Sequence, residues 1–367
     1  MFIRRCSLIL VAILVCSFAA LAQTPTPKSK VDDDVIRVSS RLVVIPVSVT
    51  DASGQAVTGL TAKDFHVAED GKAQIIDSLG NADTVPLEIA LLFDVSASTD
   101  TMFKFEQETA AKFLRQVLKP DDRATIFTIG QRPMLIQGRD VAERSITSVM
   151  NLSATKGATA FFDTVSEAAK ALRQNSPEAR RKVVVVISDG EDNFSEGIQK
   201  TQRFKESQIA AGAPDPDFKK GIRVLALAQQ QTKLEERRKV LRQLNDADAV
   251  FYSINPGGSS YQLNQISVFG QENMQDFASS TGGSAYLPKF QPVDTKDTYQ
   301  NASNMKKNQA LLETIFRQLA NELRSQYLIQ YYSESDFPVN KYVKLDVGVT
   351  SRSDVRIRAR QGYYVKN

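Results

Sequence analysis

The chain has 367 residues, 42% hydrophobic and 24% charged, enough for a soluble protein of one large domain or two ordinary ones with a true core. Its net charge is +4, of which Arg4 and Arg5 supply two charges, so the remainder is too balanced to recruit nucleic acid. The cysteines are Cys6 and Cys16 and the one histidine is His66, which excludes a disulfide framework, zinc–thiolate sites and most His-based catalysis, and pushes any metal site towards oxygen ligands and hard cations.

Residues 1–22 read as a secretory signal. Arg4 and Arg5 form the positive region, residues 8–18 the apolar region, and Ala20-Leu21-Ala22 a small-x-small cleavage site. Cleavage near Ala22/Gln23 leaves a mature chain that is secreted, periplasmic or attached to the cell envelope, without cysteine and without a membrane span. The apolar run is shorter than the ~20 residues a spanning helix needs. Retention of the segment as an uncleaved anchor is the alternative. Residues 23–35 begin with QTPTPKSK, a linker with nothing to bury.

From residue 36 to 84 the pattern is β. Leu42-Val43-Val44-Ile45 leads to the turn Asp51-Ala52-Ser53-Gly54, and Glu69-Asp70-Gly71-Lys72 is a hairpin signal. From 85 to 325 strands and helices alternate. Residues 87–93 have strand length, 105–118 have helical spacing, and 124–129 form a strand. The link 130–133 to the next strand is too short for anything but an antiparallel pair. Helices follow at 141–150 and 161–172. The run Val183-Val184-Val185-Val186-Ile187 is apolar on both faces, as a central parallel strand must be. Residues 250–254 form another strand, 285–287 a short edge strand, and 311–323 an amphipathic helix. Two polar stretches, 196–245 and 289–309, read as solvated insertions, the first partly helical and the second a surface loop. Residues 326–367 return to β. The fold class is therefore α/β, a doubly wound, mostly parallel, Rossmann-like sheet. It is either inserted in one small β-sandwich built from 36–84 and 326–367, or flanked by two separate sheets.

The chemistry lies at strand ends. In extended backbone, alternate residues face one side, so Asp94, Ser96 and Ser98 bring one carboxylate and two hydroxyls to one spot. Asp189-Gly190 follows the Val-rich strand in the same way, and Thr159 stands just before a helix. In a doubly wound sheet the ligand crevice opens beyond the carboxyl ends of the strands where strand order reverses. If the strands at 87 and 183 flank that reversal, Asp94 and Asp189 meet there. Three hydroxyls, two carboxylates and water suit Mg²⁺, with Mn²⁺ or Ca²⁺ as alternatives. Taken singly, Asp-x-Ser-x-Ser, Thr159 and Asp189-Gly190 are also ordinary caps and turns; their order after the right strands is what joins them.

Asp94-x-Ser96-x-Ser98, then Thr159, then Asp189 resembles the metal-ion-dependent adhesion site (MIDAS) of von Willebrand factor A domains, over roughly residues 85–290. The resemblance implies that Ser96, Ser98 and Thr159 hold the metal through hydroxyls and that Asp94 and Asp189 act largely through bound water. It also implies a partner protein whose Asp or Glu carboxylate completes the coordination shell. The flanking stretches Asp51-Ala52-Ser53-Gly54, Asp64-Phe65, Glu69-Asp70-Gly71, 322–327 and Gly362-Tyr363-Tyr364 resemble a secreted bacterial family described as VWFA-related, acidobacterial type. Two other classes fail on residues. A haloacid dehalogenase needs Asp where Ser96 stands, and an EF-hand loop starting at Asp189 would place Phe194 at its obligatory glycine. The expected role is non-enzymatic, a metal-dependent binding module. Metal-assisted hydrolysis with Glu191 or Asp192 as base, or a structural envelope subunit, are the alternatives.

Overall fold

The computed structural model describes residues 40–96, 100–155, 157–211, 218–258, 265–293 and 296–366. The signal segment 1–22, the linker 23–35 and Ser98 lie outside the described residues. The first strands are β1 (Arg41–Thr50), β2 (Phe65–Glu69), β3 (Lys72–Gln74) and β4 (Ser78–Asn81). β2 and β3 form the hairpin signalled by Asp70-Gly71, whose φ angles are +46° and +84°. Two left-handed residues in succession give the turn whose twist matches its strands.

The alternating region follows as β5 (Leu87–Asp94), α1 (Asp100–Val117), β6 (Arg123–Ile129), β7 (Met134–Asp140), α2 (Ala142–Met150), α3 (Phe161–Asn175) and β8 (Arg181–Ile187). It continues as α4 (Glu196–Ala211), α5 (Phe218–Asp246), β9 (Ala249–Ile254), α6 (Gln265–Thr281), β10 (Ala285–Tyr286) and α7 (Thr298–Ser325). The chain closes with β11 (Tyr327–Ser333), β12 (Tyr342–Val349), β13 (Arg356–Ala359) and β14 (Gly362–Tyr364).

The six-stranded sheet has the order β10-β9-β8-β5-β6-β7. Its neighbours are parallel except for β6 and β7, which are antiparallel. Ile89, Leu91 and Phe93 of β5 face one core, Ala90 and Leu92 the other, and the valines of β8 repeat the alternation. Helices α1, α2 and α7 cover the first face through Phe113, Val149 and Phe316; α3, α5 and α6 cover the second through Phe162, Val240 and Phe277. Each such burial stabilises by ~1.5–3 kcal/mol, so two apolar layers hold the strand ends in place. The chain moves from β5 outwards to β6, then returns to β8 on the other side of β5. The reversal therefore falls between β5 and β8, and the crevice opens at their carboxyl ends.

Two expectations are corrected. The stretch 196–245 is not solvated decoration. It forms α4 and α5, and Val240 and Leu244 of α5 are fully buried in the second core. The stretch 289–309 is not a surface loop, because from Thr298 onwards it belongs to α7. Asp297 caps that helix by accepting from the backbone N–H groups of Tyr299 and Gln300. Asn304 and Asn308 are buried there because their amides donate to the carbonyls of Pro292 (2.7 Å) and Gln291 (2.8 Å).

The outer strands form two four-stranded antiparallel sheets, β13-β1-β11-β4 and β14-β12-β2-β3. Each sheet joins N-terminal and C-terminal strands: β1 pairs with β11 and β13, and β2 with β12. The sheets share one apolar core that includes Val43, Ile45, Val67, Ile329 and Val343. Inside it the buried Glu69 carboxylate accepts from the hydroxyls of Tyr331 (2.7 Å), Ser333 (2.7 Å) and Tyr363 (2.6 Å), which satisfies a charge that would otherwise be costly to bury.

Candidate metal centre

Each carboxylate of the crevice sits at a strand end and is fixed by its own loop. Asp94 ends β5. Its Oδ1 accepts from the Ser96 backbone N–H (2.9 Å) and hydroxyl (2.6 Å), and its Oδ2 accepts from the Ser188 hydroxyl (2.6 Å). Ser188 follows β8 directly and its oxygen in turn accepts from the Gly190 N–H at 3.0 Å. The Ser188 bond thus ties the ends of β5 and β8 together across the switch point. Asp189 accepts from the Glu191 N–H at 2.9 Å. Thr159, before α3, donates its hydroxyl to the Glu191 carbonyl (2.8 Å) and its N–H to the Asn193 side chain (2.9 Å).

Four of the five residues expected at the site, Asp94, Ser96, Thr159 and Asp189, therefore stand on neighbouring loops at one end of the sheet. Ser98 lies outside the described residues. Sequence reasoning missed Ser188 and Asn193. Ser188 was legible as a hydroxyl directly after a central strand, but Asn193 carries no local signal, since its role is to hold Thr159 across the crevice.

The electrostatics fit a cation. Burial pushes the Asp94 carboxyl up against the lowering effect of its serine hydrogen bonds, and the charge of Glu191 adds to the rise. Asp189 is pushed up to about 6, first by burial and then by the charges of Asp94 and Glu191. Neither carboxylate has an ion-pair partner among the described residues, so the crevice concentrates uncompensated negative charge. The Ser96 and Thr159 hydroxyls point their protons at Asp94 and at the Glu191 carbonyl, which leaves oxygen lone pairs free to ligate. No group of three or more His, Cys, Asp or Glu poised for a metal occurs among the described residues, so a metal here depends on these hydroxyls as well as on the two carboxylates. Asp192 plays a different part. It is buried and accepts from the backbone N–H groups of Phe162, Phe194 and Ser195 and from the Ser195 hydroxyl, capping α3.

A close backbone contact sets the Asp189 loop. Gly190 has φ +76°, and a Cβ on Gly270 of α6 would lie 2.7 Å from the Gly190 carbonyl and 2.9 Å from that of Asp189. Glycine to alanine in an open helix stabilises by up to ~1 kcal/mol, but here the added carbon meets backbone that cannot rotate away, an overpacking cost of ~1–3 kcal/mol. Gly270→Ala is expected to lose stability and to bind metal more weakly, read by denaturant unfolding and metal titration. A variant more stable than wild type with unchanged metal affinity would show that this contact does not position Asp189.

Sheet order and crevice together define the class: a doubly wound, mostly parallel α/β domain whose crevice lies between the ends of β5 and β8. No family model and no curated protein matches the chain. Among solved structures, the chain is similar to proximal thread matrix protein 1 from the mussel byssus, with TM-score 0.40 and 13% identity over 70% of this chain and 50% of that one. That protein has also been solved with a zinc-occupied MIDAS motif. The chain is likewise similar to the SpRpn10 VWA domain, with TM-score 0.35 and 13% identity over 56% of this chain and 91% of that one. A third similarity is to the PilB minor pilin from Streptococcus sanguinis, with TM-score 0.41 and 12% identity over 66% of this chain and 63% of that one. The chain spans about half the length of the mussel protein.

Proposed function

We propose that this chain is an exported binding module whose A-type domain, inserted in a β-sandwich, uses a MIDAS-held divalent cation to capture a carboxylate of a partner protein. The observation that supports it is the pairing of two half-buried carboxylates without ion-pair partners among the described residues, Asp94 and Asp189, with hydroxyls whose lone pairs are free. Ser96, Ser98 and Thr159 hold the ion directly; Asp94 and Asp189 hold it largely through water. Mg²⁺ suits this all-oxygen set, and Mn²⁺ or Ca²⁺ meets the same requirement. When bound, the ion offers a positive charge with an open position for an Asp or Glu oxygen. The signal-like segment 1–22 supports export to the cell surface, periplasm or medium, and no helix among the described residues is long and apolar enough to cross a membrane. Hydrolysis is the weaker reading, because Asp192, one of the two candidate bases, is committed to capping α3.

The test is capture from an envelope extract on the immobilised chain. A partner is expected to be retained in millimolar Mg²⁺, released by EDTA, and lost when the extract's carboxylates are first amidated. Retention that is indifferent to EDTA and to amidation would overturn the proposal.

A further inference from the structure

At the end of the central sheet opposite the metal crevice, the starts of β8 and β9 and the outer face of β1 enclose a cleft of about 450 Å³. Small-ligand sites occupy roughly 300–1,000 Å³. One wall is apolar. Leu42, Val44 and Pro46 line it because the two-residue period of β1 turns them away from the core that Val43 and Ile45 fill. Leu42 and Val44 remain 49% and 37% exposed, so this wall is left without a covering layer among the described residues.

The opposite wall is basic. Six basic side chains line the cleft against two acids, Glu178 and Asp248, so positive charge is in excess. Part of it is neutralised: Arg180 pairs with Glu88, and Arg360 and Lys366 share Asp248. Arg41, Arg181 and Lys182 have no ion-pair partner among the described residues. Among the described residues the Arg41 guanidinium reaches the Tyr363 hydroxyl, at 3.5 Å. Arg181 is 7% exposed. Its Nη1 donates to the Leu323 carbonyl (2.8 Å) and the Gln326 side chain (3.3 Å), while its Nη2 has no hydrogen-bond partner. Burial, and then the neighbouring Arg324, pull Arg181 down to about 10, and burial lowers Lys182 as well. A buried cation with neither counter-ion nor full hydrogen bonding is costly, and an anion seated in the cleft offsets that cost.

We infer that this cleft binds a small anionic amphiphile, with an oxyanion head drawn to Arg41, Arg181 and Lys182 and a short aliphatic body laid on Leu42 and Val44. A carboxylate and a phosphate monoester share the head chemistry, so both are tested. The site is separate from the metal crevice, and the inference does not depend on metal binding.

The experiment is calorimetric titration of the full chain, in EDTA, with octanoate, octyl phosphate and octanol. At least one anion is expected to bind, with octanol about tenfold weaker or worse. Whichever of the two anions binds identifies the preferred head. An Arg41→Gln, Lys182→Gln double variant is expected to lose about tenfold in affinity for that anion, the scale of a lost charge-assisted contact. Neither replaced side chain makes an ion pair, and thermal unfolding checks that the variant folds. Val44→Glu, which sets a negative charge on the apolar wall, is a second variant expected to abolish binding. Absence of binding by both anions to the folded wild type, octanol binding as tightly as the anions, or unchanged affinity in the folded variants overturns the inference.

Discussion

Millimolar Mg²⁺ is expected to raise the unfolding free energy of the wild-type chain by ~2.7 kcal/mol at a hundredfold excess over Kd, and to do nothing for Asp94→Asn. Asparagine is the better test than alanine because Asp94 holds Ser96 and Ser188 as well as charge. An amide keeps the shape and an acceptor, and the Ser188 hydroxyl can turn to accept from it. What is lost is the negative charge. In EDTA the variant should match the wild type or exceed it, since one of two mutually repelling carboxylates is gone. The effect should also depend on pH. The folded Asp189 carboxyl is raised to about 6, above the ~3.9 of an unfolded aspartate. Without metal, its contribution to stability is therefore present below about 4 and is lost as pH rises through about 6. Metal binding has the opposite sign, because that proton must leave, so affinity should rise by up to about tenfold per pH unit below 6 and level off above it. Thermal unfolding of both proteins from about pH 3.5 to 8, with EDTA and with Mg²⁺, checks all of this. Equal metal shifts in the two proteins would remove Asp94 from the site.

Glu322→Ala should be the most damaging single change outside the apolar cores, at ~3–5 kcal/mol, the cost of breaking a buried charged network by removing one member. Glu322 lies on α7 at the seam between the α/β layers and the outer sheets. Its carboxylate accepts from Ser48 of β1 (3.0 Å), Tyr252 of β9 (3.4 Å), Tyr286 of β10 (3.2 Å) and Arg358 of β13 (2.9 Å). Burial and then the Glu322 charge hold the Tyr252 and Tyr286 hydroxyls above the usual phenol range, so both remain donors. Gln326 extends the network to Ser48 and Tyr252. Alanine leaves Arg358 without its counter-ion and strips the Ser48 and Tyr286 hydroxyls of their acceptor. Urea unfolding of Glu322→Ala and of Glu322→Gln, which keeps one acceptor oxygen, measures the loss, and the glutamine variant should recover part of it. A loss below ~1 kcal/mol for alanine would mean that the seam is held by apolar contacts instead.

The central strands and the site loops were legible because their signals are local. A run of valines can be buried on both faces only in the middle of a covered parallel sheet, and an acidic or hydroxyl residue just past such a strand can only lie at its carboxyl end. Residues 87–93 and 183–187 and the positions of Asp94 and Asp189 followed from that, while Thr159 was picked out as a hydroxyl just before a helix. The polar helices followed only in part, because a helix needs few apolar contacts when it touches the core at one end: helix within 196–245 was legible, but its burial and the helical start of 298–309 were not. Val240 and Leu244 anchor α5 while most of it reads as solvated, and Asn304 and Asn308 are buried by bonding to carbonyls of a segment that no periodicity reveals. The strands β4 and β14 were too short and too irregular to stand out. That residues 36–84 and 326–367 pair was one of two readings the sequence allowed, but the partners and register were beyond it: Ile45 faces Ile329, and Val347 faces Val67, contacts between segments that no local pattern connects. The same holds for Ser188 bridging Asp94, for Asn193 bracing Thr159 and for the convergence of five elements on Glu322. Hydrophobic period and turn chemistry act over a few residues and specify elements, whereas the meeting of hydroxyls, carboxylates and unpaired guanidinium groups is specified only once the layers have packed.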